Sequence, residues 1–314
     1  MTGTSRNGLA VLVIAFILAV VPVGFARLLL VSAPPADLEI AVPDYLIGEP
    51  PSAMTTGDPE EVIEHVYAVL STDLTAEGDI PRAFASRLPE NIAEIELVEE
   101  RKRMFTAAIL PLVLRANEII ESDRNRILAI KARFDSRGDV RSYDEKWLRT
   151  VARTFRVPIG EKLEPRVFKD LLLRVDVIPP SLALAQAAME SGWGTSHFAL
   201  QGNALFGEWV WGDDANGIIP RARAEGRNHK VKSFNELLDS VKSYMINLNR
   251  HASYRSLRLR RAALREQAEP LTGPALAPAL ADYSERGQDY VNDIMGIITY
   301  NGLEDLDSVR LARG

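Results

Sequence analysis

The chain has 314 residues, 46% of them hydrophobic and 25% charged, with a formal net charge of −6 and no cysteine. That length carries one sizeable core plus an appendage, and the acidic balance argues against a general nucleic-acid binder. Without cysteine there is no disulfide framework and no thiolate chemistry, and His65, His197, His229 and His251 are scattered without metal-ligand spacing, so no metal or other cofactor is expected.

An uncharged run, Asn7 to Ala26, lies between Arg6 and Arg27 and is long enough to span a bilayer as one helix. Residues 1–32 therefore read as a membrane anchor with the bulk of the chain outside the cytoplasm; a signal peptide cleaved near Ser32-Ala33-Pro34-Pro35-Ala36 is the alternative. The flanking arginines are balanced, so charge does not set the orientation. Residues 33–88 read as a Pro-rich tether with a short helix over Asp58 to Leu70.

Residues 89–165 form a helical accessory region. From Glu90 to Phe134, Ile95, Leu97, Phe105, Ile109, Leu112, Ile119, Ile127 and Ile130 fit one apolar stripe, a helical hairpin or stalk that Pro111 should kink or divide. Ser136-Arg137-Gly138-Asp139 marks a break, and Glu99-Glu100-Arg101-Lys102-Arg103 reads as a solvated, internally paired face. Amphipathic helices follow over Tyr143 to Arg156 and Glu164 to Val175. Asp176 is expected to serve structure by binding neighbouring backbone.

Residues 166–304 are the expected catalytic domain, followed by a tail, 305–314. Its centre is the helix begun by Pro179-Pro180-Ser181, with Ser181 as cap, and ended by Gly192 and Gly194. The run is apolar on every side, so the helix should be buried. Glu190 sits in its last turn, and a carboxyl group there must find a partner or keep its proton near neutral pH. A protonated carboxyl beside a cleft is what general-acid cleavage of an acetal needs, and Trp193 would supply a sugar-stacking face. The competing reading is a solvated surface glutamate.

Thr195 to Gly207 should wall the cleft. Polar–apolar alternation in Arg221-Ala222-Arg223-Ala224 and Lys230-Val231-Lys232-Ser233-Phe234, around Glu225-Gly226-Arg227-Asn228, predicts a β-hairpin lobe. Trp209 and Trp211 alternate with Val210 and should form one ledge. Helices are expected over Asn235 to Asn249, Leu257 to Arg265, Gly273 to Ala281 and Tyr290 to Asn301, with Asn249 and His251 in structural roles. The fold class is thus mainly α with a small β lobe.

Several stretches together carry a resemblance. Leu184 to Ala199, with Gln186-Ala187-Ala188-Met189-Glu190-Ser191-Gly192-Trp193-Gly194 at its centre, is similar to the signature of bacterial glucosaminidase domains, glycoside hydrolase family 73. Asn203-Ala204-Leu205-Phe206-Gly207, Asp239-Ser240-Val241-Lys242-Ser243-Tyr244 and Leu248-Asn249-Arg250-His251-Ala252-Ser253-Tyr254 resemble that family's later motifs in order. Tyr283-Ser284-Glu285-Arg286-Gly287-Gln288-Asp289-Tyr290 and the segment from Arg103 to Asn117 resemble its Bax-type branch. The resemblance implies a lysozyme-like α+β fold and hydrolysis of peptidoglycan strands after N-acetylglucosamine, in the periplasm or cell envelope. It places the general acid on Glu190 and a tyrosine near the cleft on Tyr283. The second carboxylate of the family would fall on Glu225, with Glu208, Asp213 and Asp214 ranked below it. Substrate-assisted catalysis is the alternative where that carboxylate is missing. Trp193, Asn203, Phe206, Trp209 and Trp211 are the expected substrate-binding residues. A lytic transglycosylase or muramidase, and a catalytically silent wall-binding module, are the rival readings.

Overall fold

The computed structural model describes residues 58–71, 79–212, 215–220, 229–283 and 286–313. The expected anchor, most of the tether, Asp213, Asp214 and Glu225 lie outside the described residues; among those described, no helix is long and apolar enough to cross a membrane. The described chain is mainly helical: α1 (Pro59–Ser71), α2 (Val98–Arg137), α3 (Ser142–Thr154), α4 (Pro165–Arg174), α5 (Pro180–Ser191), α6 (His197–Gly202), α7 (Leu237–Arg250), α8 (Arg255–Glu266), α9 (Gly273–Leu276) and α10 (Gln288–Tyr300), with short 3-10 turns including Ala277–Tyr283 and Leu303–Asp307.

From Phe105 on, the stripe expected of a hairpin or stalk lies on one helix of 40 residues, α2, which runs unbroken through Pro111, whereas Ile95 and the exposed Leu97 precede it. Proline costs about 3 kcal/mol inside a helix. Here Ile109, Leu110, Leu112 and Val113 around it are fully buried, and each such side chain contributes roughly 1.5–3 kcal/mol, so burial wins. Helix α2 is a core element packed against α1, α4, α5 and α7. It ends as expected at Gly138, whose φ of 72° lets its N–H reach back to the Phe134 carbonyl.

Helix α5 is buried along nearly its whole length and is enclosed by α2, α9, α10 and the Leu303–Asp307 turn. Its cap differs from the sequence expectation. Pro179 occupies the cap position and Ser181 lies inside the helix. The oxygen that satisfies the helix start belongs to Asp307: Oδ1 accepts from the Ser181 N–H at 2.8 Å and Oδ2 from its hydroxyl at 2.7 Å. The same Oδ2 takes the Gly273 N–H at 2.8 Å, tying α9 to the helix start.

The entry to α5 is fixed by charge. Asp176 is buried, its Oδ1 accepts from the Val177 N–H at 2.9 Å, and its carboxylate meets Arg265 at 2.5 Å, Arg124 at 3.4 Å and Arg261 at 3.6 Å. Arg261 is fully buried and donates to the carbonyls of Leu173, Arg174, Asp176 and Val177 and to the Asn249 side chain. Asn249 in turn donates to the Asp176 carbonyl at 2.9 Å. The structural roles read from sequence for Asp176 and Asn249 are the ones they have.

The small lobe is an antiparallel sheet of β1 (Trp209–Val210), β2 (Gly217–Ile218) and β3 (Lys230–Lys232) in the order β1-β3-β2. Val231 turns inward and is buried. The hairpin expectation holds for β3. Its neighbours are the two-residue strands β1 and β2, too short to show alternation, while Arg221 to Ala224 lie outside the described residues. The stretch read as a tail is docked: Leu311 is buried and forms a parallel bridge with Ile80, with the Ile80 and Ala312 N–H groups each bonded at 2.8 Å across the pair.

Candidate active site

Glu190 lies in the last turn of α5, half-buried, where Gly192 (φ 60°) and Gly194 (φ 81°) turn the chain away. At Gly194 a side chain has no room, since a Cβ would stand 2.8 Å from Leu88 and 3.0 Å from Phe105. Trp193, held in the left-handed region at φ 57°, is therefore pinned between two glycines. Its ring meets Phe105 edge-on at 5.7 Å, with the Lys102 ammonium 5.6 Å from its centre.

Burial pushes the Glu190 carboxyl up from its ordinary value to about 7, against a small opposing pull from Tyr290. Four tyrosines share its electrostatic neighbourhood: Tyr244, Tyr254, Tyr283 and Tyr290, each with its hydroxyl pushed further towards the protonated form, first by burial. Tyr283 stacks on Tyr290 at 5.0 Å and meets Tyr254 at 5.5 Å, and Phe206 stacks flat on Tyr244 at 3.9 Å.

A directed hydrogen-bond chain runs through this cage. The Tyr244 hydroxyl donates to Gln186 Oε1 at 2.6 Å, which leaves Gln186 Nε2 to donate to the Tyr290 hydroxyl at 2.9 Å. Tyr290 must then turn its own proton towards Glu190 Oε1, 3.5 Å away. Gln186 stands one turn before Glu190 on a helix otherwise apolar there, so it orients the acid through Tyr290. Replacing Tyr290 with phenylalanine should lower kcat about tenfold, the value of one hydrogen bond to an ionisable group. Because Tyr290 pulls the Glu190 pKa down, the alkaline limb of the rate profile should also move to higher pH, a shift that loss of packing alone would not give.

Nothing among the described residues hydrogen-bonds the Tyr283 hydroxyl. Asn203, at φ 51°, has its amide engaged by the Phe234 and Asn235 carbonyls at 3.2 and 3.1 Å, tying the sheet's end to α6. Trp209 stacks on His229 at 4.0 Å, and Trp211, 41% exposed, meets its edge at 6.3 Å. Glu208 accepts from Ser243 at 2.5 Å, lies 3.7 Å from Lys232 and sits in the field of Tyr254. Glu225, Asp213 and Asp214 lie outside the described residues. Sequence reasoning named Glu190 and Tyr283 but gave no role to Gln186, Tyr244, Tyr254 or Tyr290. A lone amide one turn before the acid was the signal for Gln186. Tyr244, Tyr254 and Tyr290 stood inside quoted motifs, but only the fold joins them. Among the described residues no His, Asp and Glu cluster could hold a metal ion.

The model of the family described as mannosyl-glycoprotein endo-beta-N-acetylglucosaminidase matches residues 166–303. Protein bax of Escherichia coli strain K12 is 30% identical over 209 residues, which span 64% of this chain and 70% of that protein. The crystal structure of the catalytic domain of the autolysin Auto from Listeria monocytogenes overlaps 56% of this chain and 96% of its own, at 18% identity and a TM-score of 0.33. With the glucosaminidase motifs in order along α5 to α10 and a Bax relative across most of its length, this chain belongs to the Bax-type glucosaminidase-domain proteins and is a glycoside hydrolase.

Proposed function

We propose that the chain is a peptidoglycan endo-β-N-acetylglucosaminidase on a lysozyme-like fold, acting in the cell envelope and held at the membrane by residues 1–32 with its catalytic domain in the periplasm. The observation that carries the chemistry is Glu190, half-buried, ringed by tyrosines and holding its proton up to about pH 7. In that state it is a general acid for the glycosidic oxygen of the departing sugar.

The positive charge that develops at the anomeric carbon needs a nucleophile. The Tyr283 hydroxyl, which no described residue hydrogen-bonds and whose ring stacks on Tyr290 beside Glu190, would orient a 2-acetamido group, whose carbonyl oxygen attacks that carbon as the leaving oxygen takes the Glu190 proton. Water then opens the cyclic intermediate, with Glu190 accepting its proton, so the acid is restored. Glu225 is the candidate for a conventional second carboxylate from the lobe. Trp193, Asn203, Phe206, Trp209 and Trp211 are the proposed lining of the glycan groove; of these Trp211 offers the most open face.

Product chemistry tests the reading. The purified full-length protein should release fragments from sacculi that carry N-acetylglucosamine at their new reducing ends, identified by mass spectrometry. Ends of 1,6-anhydromuramic acid would instead identify a lytic transglycosylase, reducing muramic acid a muramidase, and binding without release a silent wall-binding module.

A further inference from the structure

Among the described residues, arginines share a carboxylate at Glu118 and at Asp176, while a further group has no such partner. Around Asp176, Arg124, Arg261 and Arg265 share a carboxylate. The further group has none among the described residues. Arg156 follows α3, Arg174 ends α4, Arg250 ends α7, and Arg255 and Arg258 open α8, with His251 between. Among the described residues none of these five arginines has a carboxylate within ion-pair distance, and the side chains of Arg156, Arg250 and Arg255 make no hydrogen bond. Asp170 lies in the field of Arg174 and Glu208 in that of Arg250; Glu208 is already engaged by Ser243 and Lys232.

Backbone carbonyls hold two of these cations. Arg174 donates to the Arg250 carbonyl at 2.7 Å, and Arg258, 2% exposed, donates to the carbonyls of Leu248 and His251 at 2.9 and 2.8 Å. Arg156 takes a left-handed φ of 53°, where glycine would be free of strain. Burial and then mutual repulsion lower the proton affinity of Arg250 and His251, and Arg174 and Arg258 are lowered as well, Arg258 to about 10. Concentrating like charge costs stability, and a fold that fixes Asp176 among three arginines leaves this charge open. Arg156 and Arg255 are exposed, so the group presents a positive face to solvent.

The group adjoins the cleft. The His251 ring lies 5.8 Å from Tyr254, which meets Tyr283, which stacks on Tyr290 beside Glu190. An anion recognised there would be carried by the same strand whose bond is cut. Guanidinium forks match carboxylates in shape and charge. We propose that Arg156, Arg250 and Arg255, backed by Arg174 and Arg258, bind carboxylates borne on the lactyl arm of the muramic acid residues, and so select substituted peptidoglycan over plain N-acetylglucosamine polymer. The inference rests on the glucosaminidase reading and adds a specificity site to it.

The test compares the full-length protein with an Arg156→Asn, Arg255→Gln double variant on three substrates. These are sacculi with intact stem peptides, sacculi stripped by an amidase to leave free lactyl carboxylates, and a chitooligosaccharide with neither. The variant should lose about tenfold in kcat/KM on carboxylate-bearing strands, through KM, and be unchanged on the chitooligosaccharide. Loss on intact sacculi alone assigns the stem-peptide carboxylates, loss on stripped strands alone the free lactyl carboxylate, and loss on both a site that takes either. Equal rates for parent and variant on all three substrates would overturn the inference while leaving the glucosaminidase standing. Equal loss on all three would also overturn it, by showing a structural role. If the parent cleaves none, the parent reading fails and takes this inference with it.

Discussion

Replacing Glu190 with glutamine is expected to reduce release of reducing ends from sacculi by about 10²–10⁴-fold, the usual worth of a general acid, while leaving the fold intact. Glutamine keeps the shape and can still accept from Tyr290, but it has no proton to give. The parent enzyme should lose activity as pH rises through about 7, where Glu190 ionises. The variant carries a second signature. The folded protein holds the Glu190 proton more tightly than the unfolded chain does, so its stability declines as pH rises from the unfolded value of about 4.5 through about 7. Discounted for its partial access to solvent, that decline is roughly 1–3 kcal/mol. The glutamine variant escapes it. Urea titrations should therefore find the variant more stable than its parent at pH 8 and equal to it at pH 4. Unchanged turnover, or a variant less stable at pH 8, would remove Glu190 from the role of buried acid.

The second large effect is on folding. Asp176→Asn leaves Arg261, fully buried, and its neighbours Arg124 and Arg265 without the carboxylate they share. Breaking a buried ion pair from one side costs about 3–5 kcal/mol, which in a domain of this size lowers Tm by ~10 °C. Its pKa is held below the ordinary carboxylate value by the Arg265 hydrogen bonds and the other two arginines, which overcome the upward push of burial. The stability it supplies is thus complete above the unfolded pKa and disappears as pH falls through the lower folded one. Asp135→Asn removes an exposed helix-surface pair with Lys131 and should change stability by less than about 0.5 kcal/mol. Thermal unfolding of both variants beside the parent checks the contrast; equal shifts would refute it.

Local chemistry was legible in the sequence. The proline and glycine signals around α5, the break at Gly138 and the amphipathic faces of α3 and α4 each depend on neighbours a few residues apart, and the structure has them. Glu190 stood out because an apolar helix offers a carboxyl group no solvent. What could not be read are contacts that close over long separations. Asp307 bonds Ser181 at the start of α5 across 126 residues, a cap that no local pattern around Ser181 shows. Gln186 meets Tyr290 across 104 residues and Tyr244 across 58, and no spacing rule connects them. Pro111 misled for another reason: local propensity predicts a kink, and tertiary burial overrides it. The two-residue strands β1 and β2 are paired through β3 and carry no periodic signal of their own.

The Asp307 cap and the bridge between Ile80 and Leu311 bear on how the protein is made. Helix α5 carries the acid, yet its first turn is satisfied by a side chain 126 residues beyond Ser181. Until Asp307 and Leu311 have been added, that helix lacks this anchor and Ile80 lacks its bridge partner. The native contacts of this helix and of Ile80 are therefore complete only once translation has passed Leu311. A cell making it carries, until then, a nascent chain without a finished cleft.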